Sequence, residues 1–295
     1  MNLSQLQSFV ALVETGSFTE AADIVHLTQS AVSHGLLSLE RELGVTLLDR
    51  NRKGVVALTA VGQKIMPHVR AVLAQVEAIE QEAKAAQGTT SGKLRWGSIH
   101  SFVPPQLLVS LLTCFQQRYP DIEVVLFEGG LHEVGAWVEH SVIDVGFVVL
   151  PAPGTSSTLI TTDELLVLVP PGHPLRTREA VTPSELQNEG FILEKTHCAL
   201  HVMQRAGFAF GKTKPAIRYQ ASDSATIFAM VREGLGITLV PRQMLPGKLE
   251  GMTALRLDPP HPLQIGLAVR SQEAASRGAT LFVETAVDWA QGSAR

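Results

Sequence analysis

Cysteine, long apolar runs and net positive charge are scarce in this sequence. The two cysteines, Cys114 and Cys198, are far apart and form no Cys-x-x-Cys pair, so we predict neither a disulfide scaffold nor a zinc site. No apolar run reaches the roughly 18 residues of a membrane span, and the first residues carry no basic leader. We therefore expect a cytoplasmic protein without a signal peptide, membrane contact, metal or cofactor.

The charge balance excludes one class of nucleic-acid binder. The formal net charge is −4 at pH 7, whereas a chain that coats nucleic acid without specificity is usually strongly basic. Any contact with DNA would therefore need a local basic patch.

Apolar residues are plentiful, because 45% of the 295 residues are hydrophobic. This is enough for the cores of about two folded domains of roughly 150 residues each.

The first 58 residues show the spacing of three helices. An apolar stripe ends at Gly16, and Ser17 and Thr28 are suitable N-caps for a short second helix and for a third. The third helix has a regularly spaced apolar face that should point inward, made of Val32, Leu36, Leu39 and Leu43. Its opposite face is polar near the helix N-terminus, where a phosphate is also favoured, and carries Gln29, Ser30, Ser33 and His34.

Two short helices joined by a tight turn, here at about residues 18–37, are typical of a helix-turn-helix. The alternative is an ordinary helical hairpin with a solvated face. The next residues favour DNA, because Val45–Leu48 and Val55–Leu58 are suited to two short strands whose connecting tip is a basic wing with Arg50, Arg52 and Lys53. We predict that the polar face of the third helix reads base edges or positions phosphates, while the wing cations hold the DNA backbone.

At these residues the chain resembles the LysR-type transcriptional regulators. The matching segments are Leu6-x-x-Phe9, Gly16-Ser17-Phe18-Thr19-x-Ala21-Ala22, Leu27-Thr28-Gln29-Ser30-Ala31-Val32-Ser33, Leu39-Glu40-x-x-Leu43-Gly44, Leu48-x-Arg50 and Leu58-Thr59-x-x-Gly62. The sequence departs from the usual pattern at His34, where arginine is most common, and near Gly35. The resemblance implies a winged helix-turn-helix that binds DNA, and the departures predict an unusual base preference.

A long helix is predicted over residues 59–87. Its apolar residues repeat at alternating intervals of four and three, the seam of a two-helix coiled coil: Ile65, Val69, Val72, Val76, Ile79 and Ala83. The alternative is a helix packed on its own domain. We favour a homodimer through this helix, because its outward positions are polar. Pro67 should kink the helix near its start.

The polar segment 88–92 marks the clearest domain boundary. Beyond it, strand-like and helical patterns alternate, which predicts an α/β effector domain over residues 88–295 with mostly parallel sheets covered by helices. The resemblance implies a periplasmic-binding-protein-like domain in which the last helix returns to the first half. Subdomain I would span about 91–161 and 270–295, subdomain II would span about 162–269, and a cleft would lie between them.

Ligands of such sheets bind beyond the carboxyl ends of strands, near helix N-termini. Three places fit this description, and they supply the candidate effector ligands Ser98, His100 and Ser101, then Thr196 and His197, and finally Ser222. Their N–H groups, hydroxyls and imidazoles favour a carboxylate or similar anion as the small-molecule effector. The alternative is that these serines and threonines only cap helices.

Other classes of function explain less of the chain. An enzyme built on Cys198 and His197, or on His100 and its neighbouring serines, lacks a recognised nucleophile, phosphate or dinucleotide motif, so we predict that the protein is not an enzyme. A redox switch at Cys198 lacks a nearby second cysteine in the sequence. A transport binding protein would leave the first 87 residues unexplained.

The sequence therefore predicts an allosteric transcriptional regulator of double-stranded promoter DNA. As the resemblance implies, the protein would form a homotetramer from dimers joined by the linker helix. Effector binding between the subdomains would change the angle between them. That change would alter the spacing of the wings on DNA and the contact with RNA polymerase.

Overall fold

The computed structural model describes residues 1–49, 57–86, 91–99, 102–195, 216–273 and 275–293. It divides into two compact units. The first comprises Met1–Ser91 with His140–Val142, and the second comprises Gly92–Glu139 and Ile143–Arg295. None of the helices in the described ranges combines the length and the apolar character that a bilayer crossing requires.

Four helices form most of the first unit, and they are α1 (Leu3–Thr15), α2 (Phe18–Ile24), α3 (Gln29–Leu43) and α4 (Ala60–Ala86). The predicted caps are confirmed. Ser17 and Thr28 accept hydrogen bonds from the first turns of α2 and α3, and Gly16 and Gly44 adopt the left-handed conformation that ends α1 and α3. Short polar N-caps and glycine C-caps thus set the helix boundaries in this unit.

The core of the first unit is built from the inward faces of α1, α2 and α3. Its most deeply buried side chains include Phe9, Leu12, Val32, Leu36 and Leu39. The prediction for Leu43 is wrong, because this side chain is 38% exposed. Leu43 is the last residue of α3 and lies at the edge of the packed core, so helical spacing alone overestimated its burial.

A short antiparallel hairpin of β1 (Leu48–Asp49) and β2 (Ala57–Leu58) follows α3. The predicted pair of strands is present, but the first begins at Leu48 rather than Val45, and Val55 of the predicted second strand lies outside the described residues. The buried Glu40 of α3 fastens the hairpin, because its Oε1 accepts hydrogen bonds from the backbone N–H groups of Leu47 (2.7 Å) and Leu48 (3.3 Å). The tip residues Arg50, Arg52 and Lys53 lie outside the described residues.

The start of α4 packs closely on this hairpin. The Thr59 hydroxyl donates to the carbonyl of Thr46 (2.7 Å) and accepts from the N–H of Gly62 (3.0 Å). A Cβ atom at Gly62 would lie 2.2 Å from the carbonyl oxygen of Leu47, a distance that no side chain tolerates. Close packing of α4 on the hairpin therefore explains the glycine in the Thr59-x-x-Gly62 segment, one of the segments that carry the family resemblance.

The apolar seam of α4 is divided between two environments. Ile65 and Val69 pack against the core of the first unit, together with Met66 and Leu73. Further along the helix, Val72 is 45% exposed and Ile79 is 70% exposed. Packing on its own unit therefore accounts for the first part of the seam, and an exposed apolar stripe remains in the second part.

The second unit has four described helices and ten described strands. The helices are α5 (Pro105–Arg118), α6 (Leu131–Glu139), α7 (Ser224–Arg232) and α8 (Arg277–Ser293). The strands are β3 (Gly92–Ile99), β4 (Ile122–Gly129), β5 (Val145–Val149), β6 (Ser156–Val169), β7 (Ala180–Val181), β8 (Gly190–Glu194), β9 (Ala216–Ala221), β10 (Thr238–Pro241), β11 (Thr253–Leu257) and β12 (Pro262–Val269). Short 3₁₀ helices occupy Pro174–Thr177 and Arg242–Met244.

The main sheet has the order β4-β3-β5-β12-β6-β11-β7, with β10 also paired to β6, and β8 and β9 form a separate parallel pair. The expectation of mostly parallel sheets is wrong. β3 is parallel to β4 and β5, but β12 is antiparallel to β5 and β6, and β10 and β11 are antiparallel to β6. Because the chain leaves the first half along β6 and returns along β12, these two strands must run in opposite directions.

The long strand β6 joins the two halves of the second unit. Its first part pairs with β12, and its last residues pair with β10 and β11. The pairing of β12 with β5 places residues 262–269 in the sheet of the first half, although the sequence assigned them to subdomain II. Strand patterning predicted β12 itself but carried no information about its neighbours.

Each half of the second unit has its own core. In the first half, the ring of Trp96 lies 4.7 Å from that of Phe282 and 5.8 Å from that of Phe147, and Phe115 also packs edge-on against Phe282 at 5.1 Å. Since Phe282 belongs to α8, the predicted return of the last helix to the first half is confirmed. In the second half, β6, β8, α7 and β10 enclose a separate apolar cluster.

Candidate functional site

The N-terminus of α3 presents a polar surface to solvent. Gln29, Ser30 and His34 are exposed, and Ser33 is half-buried. Thr28 fixes this end of the helix, because its hydroxyl accepts from the N–H of Ala31 at 3.2 Å. The four polar residues predicted from the sequence therefore lie together on the part of α3 that faces away from the core, next to unpaired backbone N–H groups that favour a phosphate.

Ser98 lies near the carboxyl end of β3 and is fully buried. Its hydroxyl has no hydrogen-bond partner among the described residues, and the same is true of the indole N–H of Trp96. Side chains two residues apart on a strand point to the same face, so both polar groups face one side of the sheet. A buried hydroxyl without a partner costs free energy, and Ser98 carries this hydroxyl on the face where Trp96 packs against Phe147 and Phe282.

The remaining predicted effector residues are placed differently. Ser222 is exposed and precedes the N-cap of α7. That N-cap is Asp223, whose carboxylate accepts from the N–H of Thr226 at 2.8 Å, and this hydrogen bond holds the pKa of Asp223 below its usual value. His100, Ser101, Thr196, His197 and the neighbouring Cys198 lie outside the described residues.

A cavity of about 60 Å³ lies in the second unit, between the segment after β3 and the second half. Most of its wall is apolar, made by Phe102, Leu165, Leu193, Ile227, Phe228, Leu239, Val240, Pro241 and Met244. The polar residues of the wall within the described ranges are Glu194, Ser224 and Thr238. Glu194 is only 8% exposed and Thr238 only 2%. An apolar wall with a few polar groups is typical of a site for a small organic molecule, although this cavity is smaller than the roughly 300–1,000 Å³ of most such sites.

Sequence reasoning missed Glu194. A signal was available, because Glu194 directly follows the apolar run Phe191-Ile192-Leu193 and therefore stands as a charged residue at the carboxyl end of a buried strand. The sequence search concentrated on serine, threonine and histidine as ligands for an anion. Thr238 and Met244 carried no comparable signal, since only folding brings β10 and the 3₁₀ helix Arg242–Met244 against β8.

The two units define a class of protein. The first unit combines a short hairpin with a helix-turn-helix whose second helix exposes a polar N-terminus. The second unit is a two-part α/β unit with a small, mostly apolar cavity. This combination is that of a DNA-binding transcriptional regulator that responds to a small molecule.

Comparison with known proteins gives the family. Residues 3–63 match the family model described as "Bacterial regulatory helix-turn-helix protein, lysR family". Residues 87–291 match the "LysR substrate binding domain". The chain therefore belongs to the LysR family of transcriptional regulators, and the resemblance seen in the sequence is confirmed.

Individual relatives align over almost the whole chain. The regulator YvbU of Bacillus subtilis is 33% identical over 288 residues, which is 97% of this chain and 98% of the relative. The hydrogen peroxide-inducible genes activator of Escherichia coli O6:H1 is 32% identical over 279 residues, 92% of this chain and 90% of the relative. A full-length OxyR variant from Pseudomonas aeruginosa has a similar structure, with a TM-score of 0.74 at 22% identity over 97% of this chain and 98% of the other.

Proposed function

We propose that this regulator reads promoter DNA with the N-terminus of α3 and holds the DNA backbone with the wing. The exposed polar face of α3, on a helix whose other face is locked into the core, is the observation that carries the proposal. Gln29, Ser30, Ser33 and His34 would contact base edges or phosphates. Arg50, Arg52 and Lys53 would neutralise phosphates and make binding depend on salt.

The test is the affinity of the full-length protein for the DNA upstream of its own gene, measured against scrambled DNA at two salt concentrations. Gln29→Ala should relax preference at one base pair by about 1–3 kcal/mol. Replacing Arg50, Arg52 or Lys53 by glutamine should weaken binding to all sequences alike and reduce the salt slope by about one per residue. An unchanged operator preference in Gln29→Ala would refute the assignment of that residue.

The proposed assembly is a homodimer through α4, with dimers associating into a tetramer that contacts RNA polymerase. The exposed second part of the α4 seam supports the dimer. The proposed division of the chain is a DNA-binding domain at 1–58, a linker helix at 59–87 and an effector domain at 88–295. The protein would act by binding alone, without catalysis.

The proposed effector at the strand ends is a carboxylate or a similar anion. The buried hydroxyl of Ser98 supports this site, because an anion is a strong acceptor for a hydroxyl donor. Carboxylated metabolites should be screened for a change in operator affinity. Ser98→Ala should weaken the response to an active compound, whereas Ser157→Ala, a change of the same kind on β6, should leave it unchanged. A response that is equal in wild type and Ser98→Ala would exclude Ser98 as a ligand.

A second candidate function is control by thiol oxidation, which the relatives named for hydrogen peroxide favour. The Cys198 thiolate would attack the peroxide O–O bond, forming an S–O bond, and the released hydroxide would take up a proton to become water. The test compares operator binding before and after hydrogen peroxide in wild type, Cys198→Ser and Cys114→Ser. A response that survives in Cys198→Ser would reject this function for Cys198.

A further inference from the structure

Leu37 is an apolar residue on the side of α3 that faces away from the core. The inward stripe of this helix contains Val32, Leu36 and Leu39, which are buried. Leu37 is half-buried. Among the described residues, it belongs neither to the core of the first unit nor to the partly buried hydrophobic side chains that pack against that core. Part of this side chain is therefore open to solvent.

Helical geometry places Leu37 within the polar face of α3. At 3.6 residues per turn, a residue lies beside those three and four positions before it, so Leu37 lies one turn beyond Ser33 and His34. Seen along the helix axis, it falls between these two residues. Arg41 is exposed and follows one further turn along the same face. Leu37 thus lies between the polar first turns of α3 and a cation near its end.

A helix lying in the major groove can bring this whole face to the DNA. At 1.5 Å per residue, Leu37 lies about 10 Å along the axis from Ser30. This length corresponds to about three base pairs at 3.4 Å each. Since the major groove admits an α-helix, the first turns and Leu37 can reach neighbouring base pairs in one docked position, with Arg41 available for a phosphate.

The side chain of Leu37 suits one feature of the groove. It can neither donate nor accept a hydrogen bond, and the apolar group that bases display in the major groove is the C5-methyl group of thymine. Contact between two apolar groups removes both from water, which is favourable. A polar base edge against Leu37 would instead lose its hydration without gaining a hydrogen bond. Both effects favour thymine at this position.

We propose that Leu37 is a specificity-determining residue, which contacts the methyl group of a thymine in the DNA site. This inference rests on the proposed function, in which α3 reads promoter DNA. It adds the identity of one base that the third turn of the helix selects. Ser33 and His34, one turn earlier, then face the adjoining base pairs or phosphates.

The experiment starts with selection of binding sites by the full-length protein from a library of random duplex DNA. Each thymine of the selected site is then replaced, one at a time, by uracil, which lacks the methyl group and keeps the O4 acceptor. Uracil should weaken wild-type binding about fourfold at one position, as expected for the loss of one buried methyl group. In Leu37→Ala, the affinities for the thymine and uracil sites should agree within about 1.5-fold.

Two further variants separate base readout from a structural role. Leu43→Ala makes the same change at the partly exposed last residue of α3, outside the face that carries Leu37. It should keep the wild-type preference for thymine over uracil. Leu37→Met retains an apolar side chain and should keep this preference as well. Leu37→Ala should fold, because alanine is the best helix former and Leu37 lies outside the core.

The failure of this inference differs from the failure of the proposed function. If the selection enriches no DNA sequence, the proposed function is wrong and the role of Leu37 is refuted with it. If a site is enriched but none of its thymines is sensitive to uracil, the role of Leu37 alone is refuted. The same holds if Leu37→Ala keeps the wild-type ratio of affinities for the thymine and uracil sites.

Discussion

Glu40 shows how one side chain connects the recognition helix to the hairpin. It lies on α3 and is 9% exposed, and its Oε1 accepts hydrogen bonds from the backbone N–H groups of Leu47 and Leu48 at the start of the hairpin. Buried backbone N–H groups need acceptors, so Glu40 fixes the hairpin relative to the helix that carries Gln29 and His34. The same residue belongs to the Leu39-Glu40 segment of the sequence resemblance.

Glu40→Ala should lower the free energy of unfolding of the first unit by about 1–3 kcal/mol, because two buried N–H groups lose their acceptor. Operator affinity should fall with it, since the hairpin is no longer held. Chemical denaturation and a DNA-binding titration measure the two effects. Glu40→Gln keeps a carbonyl oxygen at the same place and should lose clearly less stability and operator affinity than Glu40→Ala. Equal losses in the two variants would show that the charge of Glu40, rather than its hydrogen bonds, stabilises the hairpin.

At the scale of elements, the apolar seam of α4 has a packed part and an exposed part. Ile65 and Val69 pack into the first unit, and the exposed Val72 and Ile79 continue the same stripe. An exposed apolar stripe of this kind is typical of an interface. The sequence predicted the seam, but only packing showed where its self-contained part ends.

Ile79→Asp should shift the protein toward smaller assemblies, because a charge would be buried in the seam of the proposed dimer. Sedimentation velocity over a range of protein concentrations measures this shift. Gln75→Asp places the same charge at an exposed position of α4 that is not in the seam, and it should leave the assembly unchanged. If both variants sediment like wild type, α4 does not form the dimer.

The N-cap of α7 makes stability depend on pH. The hydrogen bond from Thr226 N–H lowers the pKa of Asp223 in the folded protein. The ionised cap therefore stabilises the fold at pH values above the ordinary pKa of aspartate. This stabilisation is lost as the pH falls through the lower pKa of the folded protein. Wild type should therefore unfold at a higher temperature than Asp223→Ala at pH 6, and the difference should shrink toward pH 3. Thermal unfolding at both pH values measures it; a difference that does not change with pH would contradict the assignment.

At the scale of the whole molecule, the second unit contains both of its cores and both crossover strands within residues 92–293. A chain of residues 92–295 should therefore fold alone, with a midpoint of thermal unfolding within about 5 °C of the corresponding transition in the full chain. It should lose operator binding, because it lacks α3 and the hairpin. Calorimetry and a DNA-binding titration on the truncated chain test this, and a truncated chain that is unfolded would show that the second unit depends on the first.

The sequence by itself determined the caps of α1–α3, the length of α4, the presence of most strands and the family, because these follow from residue type and spacing along the chain. Only the tertiary structure decided which strands pair and which helices and strands pack together. Hydrogen bonding between distant segments put β12 beside β5, and the divided burial of the α4 seam depends on α1–α3. The pocket around Glu194 unites β6, β8, α7 and β10, whose lining residues extend from Leu165 to Pro241 in the chain. Spacing specifies which face of an element is apolar, whereas the partner of that face is chosen by packing and strand pairing across the whole unit.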